Sequence, residues 1–177
     1  MTVVVPNDIF WKILNTAIEL DFKKGHMRWS MSELSRESGI TRSLIYYYFG
    51  KDKLQILLEA VKALSTHVLG LDPRRMAQWK EGRLREAVLE GYQGVQLSPM
   101  LPVFYMLHRR SQSPIGDAFR EMENKYLEKI ALLYPKFSDD ERRIIFGFLF
   151  GTVATPFTTE SSVKRGTEII EKFLKGA

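Results

Sequence analysis

Cysteine is absent from the 177 residues, and with it go disulfides, thiol chemistry and every zinc site built on thiolates. Histidine is scarce: His26, His67 and His108 are the three present, and no two stand at the spacing of a metal-ligand pair. His26 and His67 read as surface or helix-end residues, and Glu121 with Glu123 as a solvated face. No glycine-rich phosphate loop and no Ser/His/Asp arrangement stands out, so an enzyme is not expected, and neither a metal nor another cofactor is implied. Strand-like alternation, repeats and low-complexity tracts are missing as well. So are long apolar runs: residues 144–157 are too few to span a bilayer and contain Pro156. Residues 1–10 lack a basic stretch followed by an apolar core, so no signal peptide is expected, and the chain reads as soluble and cytoplasmic, away from any membrane.

Charge of one sign is not concentrated anywhere. The net charge is +5, yet residues 1–54 hold eight Lys/Arg against six Asp/Glu, so a nucleic-acid reading must rest on motif and geometry. What the chain does have is 45% hydrophobic and 12% aromatic residues, enough to bury a core.

Helical spacing recurs from end to end. Phe10, Ile13, Leu14, Ala17 and Leu20 share one stripe, which Gly25 closes. Ser30-Met31-Ser32-Glu33 is a capping box, in which hydroxyl and carboxylate each satisfy a free N–H at a helix start. The short helix it opens ends at Gly39. Thr41 is a second N-cap, and its helix runs to Phe49, with Gly50 after it. A longer helix over about 52–68 places Leu54, Leu57, Leu58, Val61 and Leu64 on its buried face, before Gly70-Leu71-Asp72-Pro73 breaks the chain. Five more are expected: about 82–97, one each from Ser98-Pro99 and Ser113-Pro114 as N-cap and first-turn proline, one from the capping box Ser138 to Glu141 reaching about 155, and one near 163–174. Its stripe is Val163, Gly166, Ile170, Phe173 and Leu174. Nine helices and no sheet make an all-α chain.

Two short helices around Gly39-Ile40-Thr41 form the pattern of a helix-turn-helix, whose second helix lies in the major groove of duplex DNA. Ile45 and Phe49 would join Leu34 and Ile40 in a small core, leaving Arg42, Ser43, Tyr47 and Tyr48 to face a ligand. Arg bridges guanine O6 and N7, Ser serves either role at a base edge, and Tyr hydroxyls reach phosphates. The positive end of the helix at Thr41 favours a phosphate, and Lys51 and Lys53 stand where a helix start meets the backbone. The competing reading is an aromatic core segment. It holds equally for Tyr46, but consecutive residues turn by about 100° each and cannot all share one buried face.

The first 58 residues resemble the DNA-binding domain of TetR-type regulators along nearly their whole length. Ile13-Leu14-x-x-Ala17-x-x-Leu20 with Gly25 is similar to the family's first helix. Ser30-Met31-x-Glu33-Leu34 and Gly39-Ile40-Thr41-Arg42-Ser43-Leu44-Ile45-Tyr46-Tyr47-Tyr48-Phe49 are similar to its second and third. The resemblance implies a TetR-like fold, with a three-helix DNA-binding domain over 1–51 and a helical effector-binding and dimerisation domain over 52–177. It implies phosphate contacts from Thr41, Tyr46 and Tyr47, and a groove lined by Arg42, Ser43 and Tyr48. Three departures stand out. Asp21 occupies an apolar position, with Phe22 as its substitute; Trp29 replaces a small residue; and the chain is one residue short before the helix-four lysine, so Lys51 and Lys53 both remain candidates for the phosphate contact.

The resemblance fades after about residue 70. The helix from Ser138 is apolar all round, with Ile144, Ile145, Phe146, Phe148, Leu149, Phe150 and Val153, and so is expected to be covered on two sides. Gly147 and Gly151 would admit a second helix, either within the chain or from a partner. By resemblance the last two helices build a homodimer, here through Phe146, Gly147, Phe150, Gly151, Ile170 and Phe173. The middle helices carry Tyr92, Phe104, Tyr105, His108, Met122 and Tyr126, a Met-rich and aromatic set suited to a small apolar or aromatic effector, with His108 or Tyr105 as polar anchor. The expected function is a repressor on a palindromic operator in double-stranded DNA, released by that effector. Constitutive DNA binding, or control by a protein partner, is the rival.

Overall fold

In the computed structural model the described residues are 8–155 and 158–176, and they contain helices and no strand. Pro156, the proline of the apolar stretch, lies outside them. The chain forms two compact units. The first comprises residues 1–62 and 97–118, the second 63–96 and 119–177.

The first unit is built on α1 (Asp8–Lys24), α2 (Met31–Ser38), α3 (Arg42–Phe49) and α4 (Lys53–Ala63). α1 buries the expected Ile13, Leu14, Ala17 and Leu20 and adds Trp11 and Ile18. α4 buries the expected Leu57 and Val61, and Leu64 just after it, and adds Ile56 and Ala60, while the expected Leu54 and Leu58 are only half-buried. α7 (Leu101–His108) packs on α1. It does not start at Ser98-Pro99. Ser98 is fully buried and spends its hydroxyl on Asn15 Oδ1, while Asn15 Nδ2 donates to Leu97 O at 2.9 Å, so the side chain is taken and the helix begins three residues later, with Pro102 in its first turn.

In the second unit α4 gives way to a single π-turn over Leu64–Val68, then to α5 (Pro73–Lys80), α6 (Leu84–Leu97), α8 (Pro114–Leu133), α9 (Asp139–Ala154) and α10 (Glu160–Gly176). α5 is a helix the sequence reading passes over as a break. Its start follows the rule that identified α8: Asp72 accepts from Arg75 N at 3.1 Å with Pro73 at the first position. Its short, mostly polar run gave no apolar stripe to reveal it. The π-turn bonds Leu69 N to Leu64 O at 2.9 Å, and it aims the carbonyls of His67 and Val68 at α6. Gly91 and Gly94 meet them there; a Cβ at Gly94 would stand 2.3 Å from His67 O, and one at Gly91 2.4 Å from Val68 O. The buried Arg75 guanidinium closes the remaining valences, donating to Asp72 Oδ2 at 2.9 Å and to His67 O at 3.1 Å.

Among the described residues, 53–80 contain a stretch long and apolar enough by composition to cross a membrane. Half of its apolar window is buried inside the protein, and its helix is broken between Val68 and Pro73. The Ser138 capping box opens α9 as expected. The glycine at the α9–α10 crossing is Gly166, whose Cβ would lie 2.8 Å from Thr152 Cγ2, whereas Gly147 and Gly151 face open space.

Candidate nucleic-acid interface

Local chemistry fixes the helix-turn-helix. Ser30 Oγ accepts from Glu33 N at 3.2 Å and Glu33 Oε2 accepts from Ser30 N at 2.8 Å, so both ends of the capping box are closed. Gly39 ends α2 at φ +66°, a left-handed conformation that glycine adopts without steric cost. Ser35 Oγ donates to Ile40 O at 2.7 Å, and Thr41 caps α3 by accepting from Leu44 N at 3.4 Å. Ile45 and Phe49 are buried as expected, with Leu34, while Ile40 is half-buried. Glu33 is pulled down to about 2 by its bond to Lys24 and by the Ser30 donors. A carboxylate with a depressed folded pKa stabilises fully above its unfolded value and loses that contribution as pH falls through the folded one. Stability followed from pH 5 to pH 2 should therefore fall more in the wild type than in Glu33→Gln; parallel curves would remove this role.

The opposite side of α3 presents Thr41, Arg42, Ser43 and Tyr47 to solvent, with Tyr47 82% exposed. Tyr46 and Tyr48 are half-buried, which is intermediate between the two readings of the tyrosine run. The Tyr47 and Tyr48 rings meet edge to face at 5.4 Å. The two lysines differ plainly. Lys51 is exposed, its ammonium 5.8 Å from the Tyr46 ring centre. Lys53 points inward and donates to Met27 O at 2.7 Å and Trp29 O at 2.9 Å.

The departures at Asp21 and Trp29 prove to be partners. Asp21 is buried and accepts from Met27 N at 2.7 Å and Trp29 Nε1 at 3.1 Å. Met27 thereby holds a left-handed φ of 62°, strained for a side chain of its size. Burial pushes the Asp21 carboxyl up, but hydrogen bonds from His108, Met27, His26 and Trp29 outweigh it and hold the group well below the usual carboxylate range. Phe22 does not replace Asp21 in the core, being 57% exposed.

The residues expected at an effector site fall in different units. Phe104, Tyr105 and His108 belong to the first; Tyr92, Met122 and Tyr126 belong to the second. His108 is engaged by Asp21, with Nε2 3.3 Å from Oδ2, and the Tyr105 hydroxyl accepts from Arg109 Nε at 2.9 Å. Tyr126 packs edge to face on Trp79 and Phe146, beside a cavity of about 20 Å³ lined by Val68, Leu69, Val88 and Leu149. Of the residues expected at a dimer interface, Phe150 and Ile170 are buried within the second unit and Phe146 is half-buried, while Gly147 and Phe173 are exposed and Gly151 is half-buried. The apolar side chains left exposed on these helices are Ile144 and Phe148 of α9 with Ile169 and Phe173 of α10.

A capped helix-turn-helix followed by a larger all-helical unit is an architecture shared with known DNA-binding proteins. Residues 13–60 match the sequence model of the bacterial regulatory proteins of the tetR family. The TetR-family regulator PfmR from Thermus thermophilus aligns at 18% identity over 90% of this chain and 93% of its own, with a TM-score of 0.61. FadR from Bacillus subtilis, solved in complex with stearoyl-CoA, aligns at 17% identity over 95% and 99%, with a TM-score of 0.62. FadR from Bacillus halodurans, a fatty acid degradation regulator, gives 17%, 94% and 98%, and 0.62. No curated protein matches the chain in sequence. Residues 13–60 thus match the tetR-family model, and the fold of the chain is similar to that of solved TetR-family regulators.

Proposed function

We propose that the protein is a cytoplasmic, homodimeric transcriptional repressor that reads a palindromic operator with α3 and is released by a small apolar or aromatic effector. The observation that carries the reading is the solvent face of α3, where Arg42, Ser43 and Tyr47 stand together at a capped helix start. Arg42 and Ser43 suit base edges, Thr41, Tyr46 and Tyr47 suit phosphates, and Tyr48 closes the groove side. Of the two lysines, Lys51 is the phosphate contact, because Lys53 is committed to two backbone carbonyls. Two recognition helices must reach successive major grooves about 34–36 Å apart, which requires a dimer. Its interface is proposed on α9 and α10, where Ile144, Phe148, Ile169 and Phe173 are exposed and Gly147 and Gly151 have open space.

Effector control is supported by the likeness to the stearoyl-CoA-bound regulator. The cavity beside Tyr126, at about 20 Å³, is small against the roughly 300 Å³ of the smallest usual ligand site. An effector there would have to select a more open conformer and shift the population toward it. The same small cavity favours the rival of constitutive DNA binding, and the two separate on whether any small molecule changes operator affinity.

The test is selection of bound duplexes from a random library, followed by affinity measurements on the winner against salt. A palindrome bound by two chains, with affinity falling steeply as salt rises, is expected; no enriched sequence would overturn the reading. Arg42→Ala should cost about 1–3 kcal/mol and relax preference at one base pair. Lys51→Ala should weaken binding to all sequences alike and lower the salt slope by about 1, without changing the melting temperature. Lys53→Ala should do the reverse, melting earlier; a Lys53 variant that lowers only the salt slope would return the phosphate contact to that residue.

A further inference from the structure

Asp21 divides its two oxygens. Oδ1 is occupied by the Met27 and Trp29 donors. Oδ2 faces two imidazoles, His26 Nδ1 at 3.1 Å and His108 Nε2 at 3.3 Å, and the three atoms all lie within 4.8 Å of one another. The sequence could not show this, because Asp21 ends the buried run of α1, His26 sits in the turn after it and His108 closes α7. We propose that Asp21, His26 and His108 form a binding site for one divalent transition-metal ion of the zinc class, joining the end of α1 to α7.

Four observations carry the assignment. The donor set is two imidazoles and one carboxylate, which suits zinc, cobalt, nickel or ferrous ions and not calcium or magnesium. The spacing fits: metal–ligand bonds of about 2.0–2.1 Å in a tetrahedron place neighbouring ligand atoms about 3.3 Å apart, and both oxygen–nitrogen separations are already there. The carboxylate is oriented before any ion arrives, since its other oxygen is fixed by Trp29 Nε1 and Met27 N, the outer-sphere support that metal sites use. Lys53 extends that support by holding the carbonyls of the same two residues. The site also has a way in: the Asp21 carboxylate is buried, whereas the His26 ring is about one-third exposed. Bound through the Nδ1 and Nε2 lone pairs, with the ring protons on the opposite nitrogens, the ion would complete three ligands and leave a fourth position for water. Because α1 also packs on α2, the ion would brace the support of the helix-turn-helix.

The experiment titrates the untagged chain, stripped with chelator, with Co²⁺ alone and then with Zn²⁺. One equivalent of Co²⁺ per chain should bind saturably, give the visible ligand-field bands of four-coordinate cobalt, raise the melting temperature and be displaced by Zn²⁺. His26→Ala, at an exposed ring, should keep the metal-free circular dichroism of the wild type while losing at least about 10-fold in Co²⁺ affinity. His108→Ala should lose as much, and His67→Ala should bind as the wild type does. A wild-type chain with no saturable Co²⁺ binding, or affinity unchanged in His26→Ala, would overturn the site.

Discussion

Replacing Asp21 with alanine is expected to cost about 3–5 kcal/mol of unfolding free energy, a large part of the roughly 5–15 kcal/mol that holds a domain of this kind together. The substitution leaves the Trp29 indole N–H and the Met27 amide without an acceptor inside the protein. It also frees Met27 from the bond that accompanies its left-handed backbone. Asp21→Asn keeps an acceptor oxygen for those donors and should lose less than half as much. Urea unfolding of the three proteins measures the difference. An alanine variant within about 1 kcal/mol of the wild type would mean that the buried carboxylate is not what organises the turn after α1.

Gly94→Ala is expected to be the most damaging small substitution in the second unit. The added methyl would stand 2.3 Å from the His67 carbonyl oxygen and 2.7 Å from its carbon, and both are backbone atoms with no side-chain rotamer to yield. α6 would have to move about 1 Å off the π-turn to restore ordinary contact, and such overpacking typically costs about 1–3 kcal/mol or more. The movement would also disturb the His67 carbonyl that Arg75 satisfies. Gly91→Ala should act in the same direction through Val68 O, at 2.4 Å. Gln93→Ala, exposed on the same helix, should stay within about 0.5 kcal/mol of the wild type. Thermal unfolding that ranks Gly94→Ala with Gln93→Ala would show that the π-turn does not pack against α6 in solution.

What could be read in the sequence was what local chemistry decides. Ser30 with Glu33, Thr41, and Ser138 with Glu141 cap their helices using groups within three residues, so the spacing alone places them. Ile45 and Phe49, four apart, had to share the inner face of α3, which sent Ser43 and Tyr47 outward. The helix-turn-helix and the candidate DNA face are local in this sense, and both were legible.

Tertiary structure decided the rest, wherever a side chain had to choose between partners far apart in the chain. Ser98 could cap a helix or bond Asn15, and the neighbouring α1 took it. Lys51 and Lys53 are equivalent as sequence; only the carbonyls of Met27 and Trp29 tell them apart. The all-apolar α9 could not reveal which residues face inward. The structure buries Ile145, Leu149, Phe150 and Val153 and leaves Ile144 and Phe148 outside. Asp21 looked like a misplaced charge until His26, His108, Met27 and Trp29 were seen around it. Burying a carboxylate is costly on its own and tolerable once donors surround it, and only the fold supplies those donors.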